Sequence, residues 1–361
     1  MACFIIQKRF MEKRRVLKHV RPRLRPFYST GMRTAILLTL TGALAALAAQ
    51  QQKQPDEDLP SINVDVNVVN VLASVRDKHG TLVPNLEKDS FTILEDGKPQ
   101  TIKYFTRETD LPLTIGMLVD TSGSQVNLIG IEHNAASQFF SQVLHKKDEA
   151  FLIMFGEEAE LLQDYTNSAR LLNEALNQLR PSSGVGGIGA GPVPTAGGPR
   201  GTILYDAVYL AASDKLRSEV GRKVIVVITD GVDEGSRLSI NQAVEAAQKS
   251  DAVIYSIEYL DPYFYSRFGF GGIGMGGGGD SALHKLSDDT GGHVYKVDRS
   301  HPLEEVFHQL QEEMRTQYSI GYTPLNEVRD GSYRKLEIKL SSKDLKVQAR
   351  KGYYAIKPGG R

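Results

Sequence analysis

From Ile62 the chain alternates apolar and polar positions, with Ile62, Val64, Val66 and Val68 on one side, which predicts a half-buried strand. A turn at Lys78-His79-Gly80 follows, and then two strand-like runs, Phe91-Thr92-Ile93-Leu94 and Thr101-Ile102-Lys103-Tyr104-Phe105, flank Asp96-Gly97. An Asp-Gly pair tolerates two successive positive φ angles, so this spacing predicts a hairpin joining those runs. At Leu111 the period changes. Short continuous apolar runs (Leu113 to Val119, Ala150 to Phe155, Val224 to Thr229, Ala252 to Ile257, and a weaker one from His293 to Val297) predict strands buried on both faces. Between them apolar residues recur three and four apart: Ala136, Phe139, Phe140, Val143 and Leu144, then Ile240, Ala243, Val244 and Ala247, then Val306, Phe307, Leu310 and Met314. That spacing predicts amphipathic helices. After Arg315 the alternation returns in Gln317 to Thr323, at Leu336, Ile338 and Leu340, and at Leu345, Val347 and Ala349, with turns at Asp330-Gly331 and Lys343-Asp344.

The expected fold class is α/β: a doubly wound, mostly parallel sheet with helices on both faces, plus a β-sandwich-like domain built from the N- and C-terminal segments. Neither flanking segment has strands enough to bury a face alone, so residues 61–108 and 317–356 are expected to share one β-domain beside an α/β domain of residues 109–316. Two glycine-rich stretches, 184–201 and 266–280, interrupt the α/β part and are expected to be loops. Each holds a Gly-x-Gly-x-x-Gly match, at Gly184, Gly186 and Gly189 and at Gly269, Gly271 and Gly274. A dinucleotide site would need a tight strand-to-helix turn and an acidic residue roughly 20 positions on, so these matches are set aside.

The chemistry concentrates at Val119-Asp120-Thr121-Ser122-Gly123-Ser124, where the first strand of the α/β part ends and its first helix is about to begin. Open parallel sheets bind ligands at that edge. A second oxygen donor, Thr202, opens the segment Thr202 to Val208, and a third element ends at Asp230, just past the most hydrophobic strand. Asp120, Ser122, Ser124, Thr202 and Asp230 can therefore converge on one hard cation. Mg²⁺ takes six oxygens and tends to keep waters, with Mn²⁺ or Ca²⁺ as alternatives. Three hydroxyls satisfy such an ion without neutralising it, which leaves an exchangeable position suited to a partner's carboxylate. Asp and Ser are also favoured as helix caps and in turns, the plainer role for these residues.

These five residues resemble the metal-ion-dependent adhesion site of von Willebrand factor A-type domains, with Asp120, Ser122 and Ser124 on the first loop, Thr202 on the second and Asp230 on the third. The resemblance extends over residues 111–316. The flanking Val75-Arg76-Asp77-Lys78-His79-Gly80, Phe91 to Gly97, and Arg350-Lys351-Gly352-Tyr353-Tyr354 are similar to the secreted VWFA-related Acidobacterial-domain family, whose role the resemblance leaves undefined.

Charge adds a compartment. The whole chain is formally neutral, yet ten of its 43 Lys/Arg and one of its 43 acidic residues precede residue 50, which leaves the rest at about −9. An acidic body argues against nucleic acid as a partner. Arg33 followed by an apolar run to Ala49 with a small-residue end reads as a secretory signal peptide over residues 1–49, with Met32 as a candidate start and residues 50–60 as a linker. The run is short of the roughly 20 residues a membrane span needs, so any membrane attachment would come only from an uncleaved leader. A secreted, periplasmic or cell-envelope location is expected. The single cysteine, Cys3, lies upstream of the cleavage region, so the exported chain would hold no disulfide.

No Gly-x-Ser-x-Gly elbow and no His-Glu-x-x-His occur, so no enzyme is expected. His301 and His308 read as a surface pair, Glu157-Glu158 as a solvated turn, and Tyr318, Tyr322, Tyr353 and Tyr354 as sheet packing rather than a binding platform. The expected function is a divalent-metal-dependent, adhesion-type module that engages an acidic side chain of a protein partner. The alternative is a scaffold component of an envelope or secreted assembly in which the metal is structural.

Overall fold

The computed structural model describes residues 68–107, 111–182, 201–261 and 276–356. The leader, the linker, the alternation from Ile62 to Val66 and most of both glycine-rich stretches lie outside these residues.

The continuous apolar runs form the centre of the molecule. Strands β5 (Leu113–Asp120), β6 (Glu149–Phe155), β7 (Ala159–Thr166), β8 (Arg222–Thr229), β9 (Ala252–Glu258) and β10 (Val294–Lys296) build a six-stranded sheet in the order β10-β9-β8-β5-β6-β7. All neighbours are parallel except β7, which returns antiparallel to β6. No alternation announces β7. It is an edge strand defined by pairing, and Glu157-Glu158 falls in the tight turn before it, where the Gly156 N–H donates to the Glu158 carbonyl at 3.1 Å.

Helices cover both faces, as the two buried stripes of every central strand require. One face packs under α1 (Ile129–Val143), α2 (Ala169–Leu176) and α6 (Leu303–Arg315), with Phe139 and Phe307 stacked at 4.6 Å. The other packs under α3 (Leu204–Leu210), α4 (Ile240–Lys249) and α5 (Gly276–Thr290). Helix α4 starts on a capping box, in which the Gln242 side chain accepts from the Ser239 N–H at 2.9 Å. One expectation is corrected here: residues 276–280, four glycines and Asp280, are not loop but the first turns of α5. Glycine propagates a helix poorly, but packing of Leu283 and Leu286 into the core overrides propensity.

The flanking segments pair with each other. β1 (Val69–Arg76), β4 (Ile102–Arg107), β11 (Tyr318–Tyr322) and β13 (Lys346–Ala349) form one antiparallel sheet, ordered β13-β1-β11-β4. β2 (Phe91–Glu95), β3 (Lys98–Gln100), β12 (Tyr333–Leu340) and β14 (Gly352–Tyr354) form a second, ordered β14-β12-β2-β3. Their facing side chains share one core of Val71, Ile93, Tyr318, Ile320, Tyr322 and Leu336 among others. This is the sandwich-like part of the expected fold, set against the doubly wound α/β part.

Two strand expectations need correction. Asp96 and Gly97 do turn a hairpin, with φ of 48° and 78°, but the strand it returns is Lys98–Gln100. The run Ile102 to Phe105 leaves for the other sheet and pairs with β11. The inward set of β1 is Val69, Val71, Ala73 and Val75, whereas Val68 is 37% exposed. Two adjacent valines offer either parity, and antiparallel pairing with β11 selects the odd residues.

Buried polar pairs lock these layers. Glu313 of α6 is fully buried and accepts from Ser74 of β1 at 2.7 Å and from Tyr295 of β10 and Arg76 of β1 at 2.5 Å each. Inside the sandwich, Glu95 accepts from the Tyr322 and Tyr353 hydroxyls at 2.7 and 2.9 Å and pairs with Arg334 at 3.2 Å. Tyr318, Tyr322 and Tyr353 are thus sheet packing, and Tyr354 is half-buried. His301 and His308 lie exposed, beside Asp298 and Glu312.

Candidate metal centre

Strand β5 carries Asp120 to the carboxyl edge of the sheet, and neighbouring β8 carries Thr229 and Asp230 to the same edge. The carboxylate of Asp120 is fully buried. Its Oδ1 accepts from the Ser122 N–H at 2.9 Å, a local turn that folds the chain back over the strand end, and its Oδ2 accepts from the Thr229 hydroxyl at 2.6 Å. Asp230 closes the same kind of turn on Val232 at 3.0 Å. Gly231 follows at φ 81°, where a Cβ would lie 2.6 Å from the Gly279 carbonyl, so only glycine lets this loop pass under α5.

The hydroxyls join the two acids. Ser122 and Ser124 Oγ stand 3.1 Å apart, and Ser124 donates to Asp230 Oδ2 at 2.6 Å. Asp120, Ser122, Ser124 and Asp230 are therefore one connected oxygen cluster at the sheet edge. Thr202 lies on the adjacent loop and is mostly buried. Its carbonyl accepts from Glu234 and Gly235 at 3.1 and 3.0 Å, which ties its loop to the one that follows Asp230, and no hydrogen bond links its hydroxyl to the other four. The loops are also held by backbone: Thr121 N–H donates to Phe155 at 2.7 Å, and Ile203 N–H to Gly156 at 2.9 Å.

Burial, and then the neighbouring Asp230, push the Asp120 carboxyl up to about 7. The hydrogen bonds that Asp120 receives come from neutral donors, while the charged neighbours that interact with it, Asp230 and Glu132, are themselves acids. This all-oxygen donor set fits a hard divalent cation. Among the described residues no three His, Cys, Asp or Glu side chains gather for a metal. Half of the donors in the connected cluster, Ser122 and Ser124, are hydroxyls instead.

Sequence reading missed two residues around the site. Thr229, read only as the end of a strand, orients Asp120. Glu132, one turn into α1, is 0% exposed, and both its oxygens are buried without a hydrogen-bond partner. An acid at a core position of a helical stripe was the available signal. Burial, and then the Asp120 charge, hold its carboxyl well above the ordinary 4.5. A raised carboxyl contributes its stability in full below the unfolded value and loses it as pH rises toward the folded one. Glu132→Gln mimics the protonated form. It is expected to raise the melting temperature by several degrees near pH 7.5, where the buried carboxyl must either keep a proton against solution or bury a charge and the amide does neither, and to change little near pH 4. Equal melting of both proteins across that range in calorimetry would show that burial does not raise the Glu132 carboxyl.

Solved structures to which this chain shows similarity are distant in sequence. BatB from Bacteroides thetaiotaomicron is 15% identical, with 56% of this chain covering 97% of that one at a TM-score of 0.39. Proximal thread matrix protein 1 of the mussel byssus, solved with a zinc-occupied MIDAS motif, is 14% identical, with 61% of this chain covering 50% of that one at a TM-score of 0.43. The pilus tip protein Mfa5 from Porphyromonas gingivalis is 10% identical over 65% of this chain and 54% of that one, at a TM-score of 0.39. The model of the von Willebrand factor type A domain matches residues 114–309, from the second residue of β5 to the middle of α6. More than half of the chain is thereby accounted for, and it belongs to the von Willebrand factor type A domain family, whose members generally serve as interaction modules.

Proposed function

We propose that this chain is an exported interaction module that binds a divalent cation, Mg²⁺ first and Mn²⁺ or Ca²⁺ as alternatives, through Asp120, Ser122, Ser124, Thr202 and Asp230, and captures an acidic side chain of a protein partner there. The observation that carries this reading is the hydroxyl bridge from Ser122 through Ser124 to Asp230, set beside the buried Asp120 at the edge of the sheet. A divalent ion, when bound, supplies an open, positively charged coordination position. The chain's own part is to hold five oxygens on three loops and to keep them partly neutral, so that an incoming carboxylate is not repelled.

Export rests on the basic and apolar pattern from Arg33 to Ala49. No helix among the described residues is long and apolar enough to cross a membrane. The loops carry their own backbone hydrogen bonds, which favours an ion used for recognition over one that holds the fold. In a pull-down from envelope extract, partner protein is expected on the wild type with Mg²⁺ and is expected to disappear with EDTA or in Asp120→Ala. The circular dichroism spectrum should stay unchanged throughout. Unfolding on chelation would favour the alternative, a scaffold with a structural metal, and EDTA-resistant capture would refute the metal-dependent reading.

A further inference from the structure

The first loop of the candidate metal centre is held from behind by a residue that supplies none of its five oxygens. Ser182 follows α2 and stands against Thr121, the residue between Asp120 and Ser122. Two donors of Ser182 converge on one acceptor: its N–H and its hydroxyl reach the Thr121 carbonyl at 2.8 and 2.7 Å. Thr121 is 2% exposed, and its own N–H and hydroxyl donate to the Phe155 carbonyl at 2.7 and 3.0 Å, so it is fixed from both sides.

The carbonyl that Ser182 holds belongs to the peptide unit whose N–H is that of Ser122. A peptide unit is planar, so fixing its oxygen fixes the direction of its hydrogen. That hydrogen goes to Asp120 Oδ1 at 2.9 Å, and the same unit carries the Cα of Ser122. Two donors on the carbonyl also polarise the unit and strengthen the bond that its N–H gives. Ser182 therefore acts on one carboxylate and one hydroxyl of the site through a single peptide unit. The backbone makes room for it. A Cβ on Gly156, just past β6, would lie 1.8 Å from Ser182 Oγ and 2.6 Å from Ser182 Cβ. Gly156 is not among the glycines with positive φ, so what glycine leaves there is space for Ser182.

Mg²⁺ demands near-ideal octahedral geometry, whereas the larger Ca²⁺ accepts six to eight oxygens in flexible arrangements. Fixed ligand positions therefore favour the smaller ion. We propose that Ser182 is a positioning residue of the metal centre, one that holds Asp120 and Ser122, through the Thr121–Ser122 peptide, in the geometry that selects Mg²⁺ over Ca²⁺; this rests on the metal-binding reading given above.

Calorimetric titration of the full chain, freed of divalent ions with EDTA and dialysed, measures Kd for Mg²⁺ and for Ca²⁺. Ser182→Ala is expected to weaken Mg²⁺ binding about tenfold, as loss of a group that orients a ligand does, and Ca²⁺ binding by no more than about threefold. Gly156→Ala keeps every ligand but displaces Ser182 as a whole, so it should lose at least as much Mg²⁺ affinity, with the same bias between the ions. Ser141→Ala removes an exposed hydroxyl that donates to the Ser137 carbonyl within α1, and should bind both ions as the wild type does. Without ions Ser182→Ala should melt within a few degrees of the wild type, since it gives up one partly buried hydrogen bond. If the wild type binds Mg²⁺ and Ser182→Ala binds it equally, or loses both ions to the same extent, the proposal is overturned and the metal reading stands. A wild type that binds neither ion would remove the metal reading, and this proposal with it.

Discussion

Asp120→Ala is expected to abolish Mg²⁺ and Mn²⁺ binding in calorimetric titration, with a loss of at least about 100-fold, since even a partner outside the ligand set is worth 10–100-fold. Ser124→Ala, which removes a neutral hydroxyl and one hydrogen bond to Asp230, is expected to weaken binding by less. The wild type should melt several degrees higher with ion at about a hundredfold excess over Kd, a gain of about 2.7 kcal/mol, and Asp120→Ala should show no such shift. The pH dependence has a definite sign. Because burial and Asp230 place the ion-free Asp120 carboxyl at about 7, a cation must displace a proton below that pH, and affinity should fall about tenfold per unit as pH decreases. In the ion-free wild type the same raised carboxyl subtracts stability as pH climbs toward 7, so ion-free Asp120→Ala should be as stable as the wild type or slightly more so at pH 8. Equal binding by wild type and Asp120→Ala, or binding by neither, would remove this site.

Glu95→Ala is expected to lose about 3–5 kcal/mol in urea denaturation, because it strands a buried guanidinium. Arg334 and Glu95 are 2% and 3% exposed, and their hydrogen bonds tie β12 to β2 across 239 residues of chain. The Tyr322 and Tyr353 hydroxyls lose their common acceptor in the same substitution. For that reason Glu95→Leu combined with Arg334→Met should recover only part of the loss: the charges are gone but two buried hydroxyls stay unpaired. Glu95→Gln, which keeps an acceptor for the tyrosines, should fall between wild type and Glu95→Ala. A Glu95→Ala loss below about 1 kcal/mol would mean that the pair contributes no more than a surface one.

The candidate site was legible because each of its parts is a local signal. Asp120 and Asp230 each stand at the end of an apolar run too continuous to be anything but a central strand, and strands of one parallel sheet end on one edge. Ser122 and Ser124 come with Asp120 by spacing alone. The hydroxyl of Thr202 was placed with the other four on the same argument, yet the contacts show only its backbone tied to their neighbourhood. A loop's end can be assigned to an edge from sequence, but the direction of a side chain on it cannot. Glu132 marks the other limit. It stands one turn before the stripe of Ala136, Phe139, Phe140 and Val143, which did not include it, and its lack of any hydrogen-bond partner depends on the packing of the whole α1 face.

Periodicity determined the class of every central strand and of α1, α4 and α6, because a side chain's exposure there follows from a repeat of two or 3.6 residues within one element. Tertiary pairing alone decided the rest. The parity of β1 changed at Val68-Val69 because register against β11 chose which valine went inside, and Ile102 to Phe105 left its own hairpin for a strand more than 200 residues away. β7 exists because β6 offered an open edge, and the first turns of α5 are helical despite their glycines because Leu283 and Leu286 had a core to fill. The Glu95–Arg334 and Glu313–Arg76 pairs and the hold of Ser182 on Thr121 are likewise products of assembly. Charge and hydrogen-bonding capacity are written in each residue, but which residues meet depends on distances that only the folded chain sets.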